Sequence, residues 1–163
     1  AHGRPRLRRV PLQGGGGVRV EFEVPLVRGK GRARFVRATG RAYTPTATTD
    51  AMAQVQAAFL ATGAPMAPRG VPVAVSVETE RRLPASRPKR VEREPDVVKP
   101  DADNVAKLVL DALNGVAWED DTQVTALSVV KRDRTRREGE RTVVRVAWCE
   151  ARGDGPRQTR MEV

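Results

Sequence analysis

The sequence predicts an α+β fold: a single domain, roughly ββαβαββ, with helices packed on a mixed, mostly antiparallel sheet. Three observations predict it. Short valine-rich segments alternate apolar with polar residues, two longer segments repeat apolar residues at helical spacing, and turn residues separate them. Residues 1–17, AHGRPRLRRVPLQGGGG, read as a basic arm ending in a flexible glycine run. Val18, Val20, Phe22 and Val24 then alternate with Arg19, Glu21 and Glu23, the pattern of a half-buried strand. A short hairpin is expected in GKGRARFVRATGRAYTP, turning at Ala38-Thr39-Gly40. Thr46 to Ala61 predicts a helix with Met52, Val55 and Phe59 on one face and Gly63 as its stop. Val71, Val73, Val75 and Val77 predict the next strand. Residues 78–98, with three prolines and many charges, read as a long loop, a type that is either functional or disordered.

A second helix is expected over 104–114. Val105, Leu108, Val109, Ala112 and Leu113 form its apolar face, and Asn104, Lys107, Asp111 and Asn114 its polar one. Gly115 closes it. TQVTALSVV and TVVRVAW supply two more strands across the charged turn KRDRTRREGE. Residues 149–163 read as a polar tail, which leaves 18–148 as the domain.

Composition narrows the function. The net charge is +10 and Arg dominates Lys, so phosphate is the expected partner, in nucleic acid before an acidic membrane surface. One cysteine, Cys149, and one histidine, His2, exclude a Cys/His zinc site and an intrachain disulfide, in keeping with a reducing cytoplasm. They also argue against a Ser-His or Cys-His nucleophile. No apolar run is long enough for a membrane span and no signal peptide is read. The Gly14–Gly17 run lacks the Lys-Ser/Thr of a phosphate-binding loop, so no nucleotide cofactor is expected.

Against this basic background, Asp101 to Asp121 holds six acids and one base, Lys107. Carboxylates crowded together repel unless a cation sits between them, and Mg²⁺, hard and oxygen-seeking, is the natural one, with Mn²⁺ as its substitute. A basic surface with an embedded acid patch suits a metal-dependent nuclease: arginines hold the polyanion, and the carboxylates hold the ion that activates water and stabilises the leaving oxygen. Each piece also has a purely structural reading. Asp103 serves as a helix N-cap, Asp101 as a turn residue, Asp120-Asp121 as a loop, and Asp111 as the partner of Lys107. Their coincidence favours the metal site, provided that the helix packs on its following strand and brings the Asp101/Asp103 and Asp120/Asp121 pairs together. An EF-hand fails, because the sixth and twelfth positions counted from Asp101 are Ala106 and Ala112.

KPDADNVAKLVLDALNG followed by DDTQV resembles the RusA family of Holliday junction resolvases. The shared pattern is D-x-D-N at Asp101, Asp103 and Asn104, a Lys at 107, an LDAL helix, and D-D-x-Q-V at Asp120, Asp121, Gln123 and Val124. Pro100 stands where some relatives carry a basic residue. The resemblance implies a homodimeric, Mg²⁺-dependent endonuclease that cuts opposing strands of four-way DNA junctions in the cytoplasm, and it is compatible with a phage origin. It implies Asp101, Asp103 and Asp121 as metal ligands with Asp120 beside them, Lys107 as an essential cation, and Asn104 as orienting the first Asp or its loop. For phosphate contacts the sequence offers Arg32, Arg34, Arg37 and Arg41 ahead of the first helix, and Arg81, Arg82, Arg87, Lys89 and Arg90 in the long loop. The rivals are a metal nuclease for flaps or forks, a non-catalytic nucleic-acid-binding module, and a virion structural protein.

Overall fold

The computed structural model describes residues 6–12 and 15–149. The elements run β1 (Arg6–Leu12), β2 (Gly15–Val24), β3 (Arg34–Val36), β4 (Arg41–Tyr43), α1 (Thr46–Ala61), β5 (Val73–Glu80), β6 (Arg93–Glu94), α2 (Ala102–Leu113), a 3₁₀ turn (Asp121–Gln123), β7 (Val124–Lys131), β8 (Arg134–Thr135) and β9 (Arg141–Cys149). The main sheet has the order β1-β2-β9-β5-β7. All its neighbours are antiparallel except β5 and β7, which run parallel. The α+β reading therefore holds, and α2 lies in the crossover between the two parallel strands, as parallel pairs require.

Register explains the core. Val18, Val20 and Phe22 on β2 lie opposite Trp148, Val146 and Val144 on β9, which in turn lie opposite Val73, Val75 and Val77 on β5. These rows are buried because alternation sends every second side chain to one face. Ala51, Val55 and Phe59 of α1 and Val105, Leu108, Val109, Ala112 and Leu113 of α2 close over them. Phe22 meets Phe59 edge to face, with ring centroids 6.0 Å apart.

The opposite face of the sheet is a ladder of ion pairs. Arg145 bridges Glu21 and Glu78, and Arg141 bridges Glu23 and Glu80. Arg132 joins at Glu78 and Arg137 at Glu80. The arginines of this face are thus largely neutralised within the chain.

Two readings need correction. Residues 6–12 do not form part of a loose arm: β1 pairs with β2 from Arg6↔Glu21 to Leu12↔Gly15, and the end of the glycine run belongs to β2. Backbone groups supply such pairing whatever the side chains, and the edge of β2 offers unpaired partners. Residues 1–5 and 13–14 of the predicted arm, and 150–163 of the predicted tail, lie outside the described residues. Secondly, the loop expected over 78–98 is shorter and tied down. β5 runs on to Glu80, β6 pairs with β8, and the Arg136 guanidinium donates to the carbonyls of Arg87, Pro88 and Val91. The β3–β4 hairpin, α1 and α2 stand where the sequence predicts them, with Gly40 at φ +63° in the hairpin turn.

Candidate active site

Asp101 occupies the N-cap position of α2, but its side chain makes no capping hydrogen bond. Asp103 sits inside the first turn, so it is not the cap. Both are exposed. Their carboxylates are therefore not spent on ending the helix, although an acid in the first turn also suits the helix dipole. The segment before them is anchored by Arg81, whose guanidinium donates to the Lys99 carbonyl at 2.7 Å and lies 3.6 Å from Asp96 and 3.3 Å from Glu140. The Asp96 side chain is wholly buried, and neither of its oxygens has a hydrogen-bond partner. Arg81 is the cation that compensates it.

Gly29-Lys30-Gly31 threads past the start of both helices. The Lys30 N–H donates to the Asn104 carbonyl at 2.9 Å, and the Gly31 N–H donates to Thr48 Oγ1 at 3.2 Å. A Cβ at Gly29 would stand 2.9 Å from Pro100 Cβ and 3.0 Å from Asn104 Cβ, so only glycine lets this segment approach so closely. The Lys30 ammonium pairs with Asp111. This replaces the expected Asp111–Lys107 pair: among the described residues Lys107, exposed one turn after Asp103, has no ion-pair partner. No local sequence signal links Lys30 with Asp111, since the two are 81 positions apart.

A cleft of ≈ 910 Å³ opens at this end of the molecule. Asp101 and Asn104 line it together with five cations, Arg28, Lys30, Arg32, Arg81 and Lys99, and one further acid, Glu140. Its charged lining is thus mainly cationic, although Lys30 and Arg81 are paired with Asp111 and with Asp96 and Glu140. Arg34, Arg37 and Arg41 are exposed on the neighbouring hairpin and have no ion-pair partner among the described residues. Lys89 is exposed in the 84–92 segment. Arg87 differs from the expectation of a free phosphate ligand, because Glu94 holds its guanidinium at 2.8 Å.

The other acid pair is built separately. Asp120 caps the 3₁₀ turn, accepting from the Thr122 N–H at 2.8 Å, and the Gln123 side chain accepts in return from the Asp120 N–H at 3.3 Å. The Thr122 hydrogen bond lowers the Asp120 pKa below the ordinary carboxylate value. Gln123 is buried, and its amide donates to the carbonyls of Pro68 and Val71, stapling the turn to the connection between α1 and β5. One Asp121 oxygen accepts from the indole N–H of the fully buried Trp118 at 2.8 Å. The other is not used in that bond.

The two pairs do not meet within one chain. Asp101 and Asp103 lie at the start of α2, and Asp120 and Asp121 lie beyond its end. Twelve residues of helix span about 18 Å. Among the described residues no three acidic, histidine or cysteine side chains are close enough to share a metal ion. The expected convergence through packing of α2 on its following strand fails because that strand starts at the far end of the helix and runs back beside it. The donors are all carboxylates, the oxygen set that Mg²⁺ prefers, but one chain offers them at two separate ends.

Among the described residues no helix is long and apolar enough to cross a membrane. A search of curated proteins finds no significant match. The family model "Endodeoxyribonuclease RusA" matches residues 25–147, from the segment just after β2 through α2 and the Asp120-Asp121 turn into β9. Spanning both acid pairs, the cationic cleft and the intervening helix, that match shows the chain to be an endonuclease belonging to the endodeoxyribonuclease RusA family.

Proposed function

We propose that the protein resolves four-way DNA junctions by paired nicks, acting as a homodimer whose metal sites form between copies. The observation that carries this reading is the placement of the two acid pairs at opposite ends of α2. Asp101 and Asp103 of one copy and Asp121 of a second would hold Mg²⁺, or Mn²⁺ in its place, with Asp120 shaping the turn beside it. The ion supplies Lewis-acid charge and a reactive water at neutral pH.

The edge of the sheet supports such a pairing. β7 is an outermost strand, and its Leu127 and Val130 side chains are 46% and 38% exposed. An unprotected apolar edge invites another strand. A two-fold axis there would pair β7 antiparallel with its copy. The start of one β7, next to Asp121, would then face the end of the other. Because α2 runs opposite to β7 in the crossover, that end lies beside Asp101 and Asp103. The two-fold axis also yields two equivalent sites, as two symmetric cuts need.

The remaining roles fall to this chain's own groups. Trp118 holds one Asp121 oxygen and leaves the other free to turn inward. Asn104 fixes the approach of the Gly29–Gly31 segment through its backbone carbonyl. Lys107, unpaired on the face of α2 that bears Asp103, offsets charge that builds on the phosphate under attack. Arg32, with Arg28 and Lys99 in the cleft, seats the backbone phosphates. Residues 18–148 carry this activity, and the cytoplasm is its expected place.

The test is incubation with a synthetic four-way junction and a matched linear duplex, with and without Mg²⁺, for the wild type and Asp103→Asn. Paired nicks in the junction are expected only with metal and only from the wild type, while the variant still binds. Normal cleavage by Asp103→Asn would refute the site. Equal cleavage of duplex and junction would refute junction resolution and leave the nuclease.

A further inference from the structure

The chain has six aromatic residues. Four of them, Phe22, Phe59, Trp118 and Trp148, are buried in the core. The other two both lie on the β3–β4 hairpin: Phe35 is 72% exposed and Tyr43 47%. Every residue from 32 to 44 is exposed. A phenylalanine held in water on a two-strand ribbon adds nothing to the core, and an apolar patch rimmed by charge marks an interaction surface.

The register shows how the hairpin is laid out. Phe35 lies opposite Ala42, so one face carries a large ring beside a small residue. The other face carries the pairs Arg34–Tyr43 and Val36–Arg41. Arg34 and Arg41 thus stand on the face opposite the ring and Arg37 just past the end of β3, and none of the three has an ion-pair partner among the described residues. The incoming end of the hairpin is bonded to the D-x-D-N segment, and both ends meet at the start of α1. Lys30 is bonded to Asn104, Gly31 to Thr48, and Pro45 forms the N-cap of α1. The ribbon therefore starts at the cleft that Arg32 and Asp101 both line.

We infer that this hairpin is the element that reads the branch point: Phe35 stacks on a base exposed where the strands exchange, while Arg34, Arg37 and Arg41 grip the phosphates on either side. The inference rests on the junction-resolving reading and gives that site a basis for selectivity. Continuous duplex offers phosphates but no open base face, whereas a branch point offers both. Stacking on an aromatic ring tolerates any base, so it selects structure over sequence. The cations contribute equally to both substrates and cannot discriminate.

The test uses the full chain, with a four-way junction carrying 2-aminopurine next to the crossover and a duplex of the same sequence, in buffer without divalent metal. The wild type is expected to change the 2-aminopurine emission and to prefer the junction. Phe35→Ala is expected to lose the emission change and bind the junction roughly tenfold more weakly, with duplex binding held within about twofold. Phe35→Trp is expected to restore both. An unaltered emission change and affinity in Phe35→Ala, beside a wild type that prefers junctions, overturns the inference and leaves the resolvase reading standing. A wild type with no junction preference overturns both. An equal loss on duplex and junction, or a Phe35→Ala protein that sediments as a monomer where the wild type is a dimer, assigns the ring to general binding or to the subunit interface and overturns the inference.

Discussion

Mixing two inactive variants, Asp103→Asn and Asp121→Asn, is expected to restore cleavage. Oxygen ligands lie about 2.1 Å from Mg²⁺, so two carboxylates on one ion stand within about 5 Å of each other. The twelve residues of α2, about 18 Å of helix, lie between the two acid pairs, and among the described residues no three acidic side chains group closely enough to share an ion. If each site draws Asp103 from one copy and Asp121 from the other, either variant alone spoils both sites of its dimer. In a mixed dimer one site carries both changes and the other carries neither. Random exchange makes about half of the dimers mixed, each with one working site of two, so nicking returns to about a quarter of the wild-type rate. The recovered product is junction nicked on one strand, because the opposing site is dead. The assay is a denaturing gel of end-labelled four-way junction with Mg²⁺, after the two variants have been mixed in equal amounts and left to exchange subunits. If each site belonged to one chain, every mixed dimer would hold two spoiled sites. Activity that stays at the level of the separate variants refutes the composite site.

Other outcomes follow from packing and charge. Arg81→Met leaves the buried Asp96 carboxylate without its cation, and it should cost about 3 kcal/mol, the low end for breaking a buried pair because the Arg81 side chain is 21% exposed. Melting by circular dichroism should then fall by roughly 6–12 °C, with part of the loss returned by adding Asp96→Asn; a fall under about 2 °C contradicts the pairing. Gly29→Ala forces a methyl against Pro100 and Asn104 and should destabilise by about 1–3 kcal/mol. Because the strain falls on the D-x-D segment, junction cleavage should drop further than the fraction folded explains, which kinetics at 15 °C would show. Burial tends to raise the Glu78 pKa, but hydrogen bonds from Arg132 and Arg145 outweigh it and leave the pKa lowered. A lowered folded-state pKa means stability that is present above the unfolded value, about 4.3 for Glu, and lost as pH falls through the folded one. Urea denaturation should show this loss below about pH 4, and Glu78→Gln should flatten the acid limb; an unchanged slope would show that the ladder carries no such linkage.

The D-x-D-N…D-D pattern was legible because it is local. Asp101 and Asp103 flank a helix start, and the spacing of Val105, Leu108, Val109 and Ala112 fixes which side of that helix is wet. The Thr46–Ala61 helix and the hairpin at Gly40 were legible for the same reason. Lys30–Asp111, Arg81–Asp96 and the hold of Arg136 on the 87–91 backbone were not, since each joins positions that no periodicity connects. The glycine run before Val18 misled because composition reports flexibility in isolation, while a neighbouring strand edge supplies hydrogen bonds to any backbone.

By itself, then, the sequence determined the alternating strands, the two amphipathic helices, the excess of arginine and the identity of the acidic residues. Only the tertiary structure decided that the two acid pairs lie off opposite ends of α2, that the sheet neutralises its own outer arginines, and that Phe35 and Tyr43 are the aromatics left in water. The physical reason is that periodicity and capping act over a few residues, whereas distance, charge compensation and exposure are set by strand order and packing across the whole chain.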